Sequence, residues 1–427
     1  MDTPTNIVGI DLGTSNCAAF ISALEGTGSE LSIPQIVEPG SIDHLATLPS
    51  AVYLANPNEF PPDSCALPWS SKETDTEAQI VGRFAREHGT QAADRLVTSA
   101  KSWLCSPHID PQKQILPWHS EEEDSKISPL EASSLYLEHI LASIENAGHS
   151  MPSTEVVITV PASFDEVARS LTHEAAQRAG IPQATLIEEP QAAFYSWLER
   201  KDATWREQIS PGDIILVCDV GGGTSDFSLI LVTEQEGQLA LERICVGEHI
   251  LLGGDNLDLA LAHTIRQELS EQGTELDNWQ FQTLVNMARQ AKEALFQDES
   301  LESYPISIPS RGSSLMGGTV PAQLTRDTLQ TLTMDGFLPL TQAHETPDEN
   351  SDTGLREFGL HYASDPALSK HLSAFLNRSK THLENQENLP DSRKEKITQE
   401  GPVLPDAVLF NGGFFKAQSA RERVLEL

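Results

Sequence analysis

Two short segments, Ile7–Asn16 (IVGIDLGTSN) and Leu216–Asp226 (LVCDVGGGTSD), are versions of one device, and this internal echo constrains the fold more than any other feature of the chain. In each, an apolar β-rich run delivers an aspartate, Asp11 or Asp219. Glycines follow, and then a Thr-Ser pair, Thr14-Ser15 or Thr224-Ser225. Glycine permits a tight turn and bares backbone N–H groups, and the hydroxyls add donors, so each segment suits a polyphosphate. An aspartate at a strand end can hold Mg²⁺ through its water shell. Two such hairpins facing each other would grip a nucleotide's phosphates from both sides. Read alone, either segment is equally well a buried strand ending in a Gly-rich turn; it is the pair that shifts the balance. Neither has the Gly-x-x-x-x-Gly-Lys-Ser/Thr pattern of a P-loop or the Gly-x-Gly-x-x-Gly turn of a dinucleotide-binding helix.

The rest of the chain fits an α/β architecture large enough for two domains or one bilobed unit. Strand-like runs at 6–10, 15–22, 154–160, 213–219, 224–233 and 239–247 alternate with helical patterns. Residues 56–78, with four prolines, and 107–129, with the run EEEDS, read as exposed excursions, and 343–358 and 384–403 are polar. The clearest helix covers 162–180, with Ser163 and Glu166 placed as a capping box and Gly180 as the stop. It joins the strand VVITV to a short strand, ATLIE, that delivers Glu188 and Glu189. Phe281 to Phe296 forms an amphipathic helix with Phe281, Leu284, Val285, Ala288 and Leu295 inward. Arg289, Lys292, Glu293 and Phe296 share the other face, which on spacing alone is a solvated one.

The balance of 28 Lys+Arg against 63 Asp+Glu gives a formal net charge of −35. Such a surface repels nucleic acid and anionic membrane, so neither is expected as a partner. The N-terminus has no charged stretch of the secretory type, and no apolar run approaches the roughly 18 residues of a span. Five widely spaced cysteines without a Cys-x-x-Cys read as reduced thiols in a cytoplasmic protein, with Cys17 and Cys218 packed in the strands beside the turns.

In their order along the chain these segments resemble the actin-like ATPase domain of the seventy-kilodalton heat-shock chaperone (DnaK-like) family. GIDLGTSN (9–16) is similar to its first phosphate segment and VVITVPASFDEVARSLTHEAAQRAGIPQATLIEEPQAAF (156–194) to its first connecting segment. CDVGGGTSDFSL (218–229) is similar to the second phosphate segment, GEHILLGGDNLDLAL (247–261) to the segment after it, and AVLFNGGFF (407–415) to the adenosine segment. The resemblance implies a duplicated actin-like, ribonuclease-H-like fold. Lobe I would occupy 1–198 with an excursion at 54–130. Lobe II would occupy 199–427, with a subdomain at about 256–400 and the adenosine segment at 405–427.

The resemblance further implies ATP or ADP with Mg²⁺, and K⁺ as a further cation. Asp11 and Asp219 would organise Mg²⁺ and its waters. Gly13, Thr14, Ser15 and Asn16 would meet the phosphates on one side, and Gly221, Gly222, Gly223 and Thr224 on the other. Lys101 matches the lysine beside the γ-phosphate, Glu189 the glutamate near the attacking water, and Asp226 the aspartate ending the second loop. On sequence alone Lys101 is a surface lysine, and Glu189, just before Pro190, suits a helix N-terminus. Gly253-Gly254 and Gly412-Gly413 are each either plain turns or, by resemblance, loops against the γ-phosphate and the adenosine.

The chain departs from the family around adenine, where Arg289, Lys292, Glu293 and Phe296 stand for a glutamate, a lysine, an arginine and a serine. Lys416, after Phe414, stands where an arginine usually stacks on the base, and a lysine stacks poorly. Phe296 is the expected replacement platform. Thr185 replaces a basic residue used for J-domain co-chaperones, which argues against a conventional J-domain partner. The sequence stops before the family's linker and peptide-binding domain, so it is expected to be part of a longer protein, with a nucleotide-exchange factor or a C-terminal module as partner. The expected function is slow Mg²⁺-dependent ATP hydrolysis driving an attached module. A nucleotide-sensing module with little turnover and, more remotely, a small-molecule kinase are the alternatives.

Overall fold

The computed structural model describes residues 5–24, 26–70, 79–106, 109–118, 120–121, 125–235, 238–309, 318–348, 362–384 and 401–427. Most of the acidic run at 121–125 and of the polar stretches 343–358 and 384–403 lies outside them.

The echo in the sequence is an echo in the sheets. In the first, β1 (Asn6–Leu12) forms a hairpin with β2 (Asn16–Ala23), and β3 (Ser29–Glu30) and β4 (Thr47–Pro49) extend it beyond β2. On the other side of β1 lies β5 (Thr154–Val160), parallel to it, and then β6 (Ala184–Glu188). The second sheet repeats the plan. Here β7 (Ile214–Val220) forms a hairpin with β8 (Ser225–Gln235), β9 (Gln238–Val246) follows beyond β8, and β10 (Ala407–Asn411) lies parallel on the far side of β7. Each aspartate therefore stands near the end of a strand that has its hairpin partner on one side and a parallel strand from a distant part of the chain on the other.

Every residue of β7 is buried because helices cover both faces of its sheet. Its even-numbered side chains Ile214, Leu216, Cys218 and Val220 belong to a core shared with Gly254–Glu271, Asn278–Gln297, Leu368–Glu384 and Gln418–Glu426. Its odd-numbered Ile215 and Val217 pack against Phe194. Phe194 lies on the helix Glu189–Lys201, whose first residue directly follows β6 of the other sheet. Burying this one ring stabilises the arrangement by about 1.5–3 kcal/mol and fixes where Glu189 sits. A separate core joins the first sheet to the helices Pro129–Asn146 and Glu166–Arg178.

Within the expected exposed stretch 56–78 the described residues, 56–70, are exposed or half-buried and 71–78 lie outside the described residues, while the chain on either side is built into a small sheet. Ala51–Leu54, Gln79–Val81 and Leu96–Thr98 form a small sheet closed by the helix Arg83–Gly89 around Tyr53 and Phe84. The stretch at 107–129 is partly internal, with Leu116, Lys126, Ile127 and Ser128 buried.

The helix after β5 corrects one expectation. It begins at Glu166, and its cap is Asp165, whose carboxylate accepts from the Ala168 amide at 2.8 Å. Ser163 is thereby released from capping and turns elsewhere. The helix Asn278–Gln297 carries its apolar residues inward as expected, closed at its start by a reciprocal Asp277–Gln280 capping box.

Candidate functional site

The two aspartates are held by matching devices. Asp11 pairs across the parallel ladder with Thr159, whose hydroxyl donates to Asp11 Oδ1 at 2.9 Å. Asp219 occupies the same rung of the other sheet, opposite Asn411, whose amide donates to Asp219 Oδ2 at 2.8 Å. The environments differ, however. Asp11 is exposed, whereas Asp219 is buried, and burial together with the nearby Glu189 carboxylate pushes Asp219 well above the usual carboxylate range.

The turns after these strands face each other and touch. The first is braced from behind, since Ser50 donates its hydroxyl to the Gly13 carbonyl at 2.7 Å. The second is closed by Gly221 N–H on Thr224 O at 2.9 Å. A Cβ on Gly222 would collide with the Ser15 hydroxyl and lie 3.2 Å from Asp255 Oδ1; one on Gly223 would collide with the Ser102 hydroxyl and lie 3.0 Å from the Thr14 methyl. Glycine is needed here for close approach. Gly253 and Gly254 join this group, although their N–H groups are committed: Gly254 N–H donates to Gly221 O at 3.0 Å and Gly253 N–H to Asn256 Oδ1 at 2.8 Å. Asn16 lies at the edge, where its Oδ1 accepts from Arg86 at 3.4 Å.

Lys101 is not a surface lysine. It sits on the short helix Ala100–Leu104 with every residue buried, and its Nζ meets Glu189 Oε1 at 2.5 Å. Burial works to lower the Lys101 pKa, yet Glu189 and Asp11 outweigh it and hold the ammonium above its ordinary value. Burial raises Glu189 despite its partner. The Phe164 ring centroid lies 5.9 Å from Nζ. Asp226 accepts from the Ser163 hydroxyl, and Ser163 Oγ lies 2.7 Å from His249 Nδ1. Spacing could not have found Ser163 or His249, which reach Asp226 from loops far away in sequence.

On the expected adenine side the residues divide. Arg289 and Lys292 do not form a solvated face. Arg289 pairs with Asp255 at 2.9 Å and Asp258 at 2.8 Å, and Lys292 pairs with Asp258 at 2.7 Å and donates to Gly254 O at 3.1 Å. Asp258 is fully buried, and Ser99 donates to the other Asp255 oxygen at 2.6 Å. This network buttresses the second turn through Gly254 and Asp255. Glu293 is exposed, and Phe296 is partly buried against the core. Gly412 has φ +87°, and a side chain there would run into the Val220 carbonyl and lie 3.0 Å from Asp219 Oδ1, so the turn at Gly412-Gly413 abuts the aspartate directly. Phe414 is buried with Phe337 and Phe415, and Lys416 is exposed. A cavity of about 120 Å³ beside the network is lined by Ser99, Trp103, Trp118, Asp255, Asn286 and Arg289.

None of the five cysteines forms a disulfide; burial pushes Cys17 up to about 12 and raises Cys218 as well, as for packed thiols. Among the described residues no three His, Cys, Asp or Glu side chains converge as a direct metal-ligand set, and no helix is long and apolar enough to cross a membrane.

Comparison with known proteins places the chain in a family. The model of the family described as Hsp70 protein matches residues 7–347, and the chain belongs to that family as a DnaK-like member. The chaperone protein DnaK of Carsonella ruddii (strain PV) is 28% identical over 339 residues, covering 78% of this chain and 52% of the relative. That of Trieres chinensis is 26% identical over 366 residues, 82% of this chain and 52% of the relative. That of Thalassiosira pseudonana is 26% identical over 347 residues, 77% and 50% respectively. The chain thus spans about half the length of the curated relatives it matches.

Proposed function

We propose that this chain is the Mg²⁺-dependent ATP-binding and slowly hydrolysing domain of a DnaK-like chaperone, built on an actin-like fold whose two lobes close on nucleotide and so drive an attached module. The observation that carries this reading is the opposition of two equivalently built Asp–Gly–Thr-Ser turns with the Lys101–Glu189 pair packed beside them. The glycine cradle fits a polyphosphate, because the Ser15 hydroxyl and the Thr14 side chain press directly on Gly222 and Gly223, where the two turns come together. Mg²⁺ would neutralise charge on the phosphates. Asp11 and Asp219, each steered by a neighbouring-strand donor, would hold it through water.

Hydrolysis would be in-line attack of water on the γ-phosphate, carried by positioning and electrostatics. Lys101, kept charged by its carboxylate neighbours, would stabilise charge spreading onto the transferred group. Glu189, raised by burial, would orient the attacking water, and Asp226 would close the loop behind it. Because Ser15 and Thr14 press on Gly222 and Gly223, a phosphate chain enters only if the turns part, which couples binding to movement of the two halves. K⁺ as a second cation, a cytoplasmic location, and a nucleotide-exchange factor or C-terminal module as partner belong to the same reading. The exposed Thr185 speaks against conventional J-domain coupling.

A second reading, nucleotide sensing with little turnover, is favoured by one observation: Arg289 and Lys292 are already engaged by Asp255 and Asp258, so the adenine side offers few free polar groups. Single-turnover hydrolysis of γ-labelled ATP, with protein in excess and Mg²⁺ and K⁺ present, separates the two. Slow phosphate release that disappears in Lys101→Ala supports the ATPase; tight binding without release supports the sensor.

A further inference from the structure

Ser102 follows Lys101 on the helix Ala100–Leu104 and is completely buried. Its hydroxyl has no hydrogen-bond partner among the described residues. A buried hydroxyl left unpaired is unfavourable, and a helical serine ordinarily relieves it by donating to the carbonyl four residues back. Ser133, Ser134 and Ser143 do so here, at 2.9, 3.0 and 2.7 Å. Ser102 has no such recourse, because its helix has only just begun. The residue four back is Thr98, which ends the strand Leu96–Thr98, and Ser99 between them stands in the left-handed region with φ +56°. A non-glycine residue in that region is strained, and such strain persists only where the surroundings impose it. Ser99 is tied there by its hydroxyl bond to Asp255, beside the second turn.

The unpaired oxygen points at the place where the two turns meet. A Cβ on Gly223 would collide with it, and the Thr14 methyl lies 3.0 Å from that same point. Around that point Ser15 Oγ and the Thr14 side chain press on Gly222 and Gly223, Asp255 Oδ1 is close by, and the Lys101 ammonium is held by Glu189. The Ser102, Ser15 and Thr14 hydroxyls are donors gathered in one place, and an acceptor-rich anion is the partner that would take them together. We infer that Ser102 is a further phosphate-binding residue, whose hydroxyl donates to an oxygen of the terminal phosphoryl group of a nucleoside triphosphate held between the turns. This, including the terminal position, rests on the nucleotide reading above, which sets Lys101 beside the transferred group.

The test compares the wild type with Ser102→Ala and Ser102→Cys, the second keeping the size of the side chain but donating weakly. Affinities for Mg-ATP and Mg-ADP are measured by displacement of a fluorescent ADP analogue, and thermal midpoints are taken without nucleotide. Losing one hydrogen bond to a charged oxygen should weaken ATP binding about tenfold in both variants and leave ADP within about twofold. The nucleotide-free midpoint should stay level or rise, since an unpaired hydroxyl has been removed. A merely structural serine would lower that midpoint and leave the ratio of ATP to ADP affinity unchanged. Unchanged ATP affinity in Ser102→Ala, or equal losses for ATP and ADP, overturns the inference while the nucleotide reading stands. Failure of the wild type to bind either nucleotide overturns both.

Discussion

Replacing Lys101 by methionine tests the buried pair at the centre of the site. The side chains of Lys101 and Glu189 are only 9% and 15% exposed, and their charged atoms are 2.5 Å apart. Removing one member of such a pair leaves the other as an uncompensated buried charge, at a cost of about 3–5 kcal/mol. The cost depends on pH in a definite direction. Burial and the Asp11 carboxylate already raise Glu189 above its ordinary 4.5, and without Lys101 nothing of comparable weight lowers it. A carboxyl whose folded pKa exceeds its unfolded value contributes stability that is full below the unfolded value and lost as pH rises through the folded one. The deficit of Lys101→Met should therefore be small near pH 5 and reach about 3 kcal/mol by pH 8. With about 2.1 cal/mol/K of unfolding entropy per residue, a 427-residue chain melting as one unit shifts by about 1 °C per kcal/mol, so the drop in melting midpoint is roughly 3 °C. Adding Glu189→Gln removes the stranded charge, and the double variant should recover most of the loss and become nearly flat with pH. Melting of the three proteins by circular dichroism across pH 5–8 decides it. A single-variant deficit that is equal at pH 5 and 8, or a double variant no more stable than the single one, would refute the reasoning.

Four further substitutions have expected outcomes. Asn411→Ala removes the side-chain donor that lowers Asp219, so the Asp219 pKa rises further and Mg-ATP affinity should fall at neutral pH and recover toward pH 9; a loss independent of pH speaks against it. Gly412→Ala places a methyl against the Val220 carbonyl at φ +87° and should destabilise by about 1–3 kcal/mol in urea denaturation, whereas an unchanged midpoint contradicts the close approach. Asp258→Asn leaves Arg289 and Lys292 without their shared buried carboxylate and should cost about 3–5 kcal/mol. Arg378→Gln, at a pair with side chains 57% and 75% exposed, should change stability by no more than about 0.5 kcal/mol, and comparable losses in the two would undo the distinction.

What the sequence made legible was whatever is written contiguously. Asp11 with Gly13–Ser15 and Asp219 with Gly221–Thr224 are local devices, so their residue types name their geometry before any tertiary contact is known. The inward residues of Asn278–Gln297 followed from periodicity for the same reason. What stayed hidden was set by register and long-range packing. Thr159 and Asn411 matter because of the rung they occupy, and neither residue type is diagnostic. Arg289 and Lys292 looked like a solvated stripe because Asp255 and Asp258, which neutralise them, lie on another helix. Ser163 looked like a helix cap because serine commonly is one; Asp165, two residues on, had the better geometry.

The strand Ala407–Asn411 also sets a timetable. It is the parallel partner of β7, yet Asn411 and Asp219 are 192 residues apart in the chain. At the usual 5–20 residues per second, a ribosome takes roughly 10–40 s to go from one to the other. Throughout that interval one side of β7 lies open and Asp219 lacks its amide partner. The first sheet has no such wait: β5 and β6 emerge before β7 is made. During synthesis the first half can therefore settle while the second remains an incomplete template with an unpaired strand edge, the kind of surface on which chains mispair. On the reading proposed above, nucleotide cannot assist this stage, since half of its clamp would be unfinished until Ala407–Asn411 arrives.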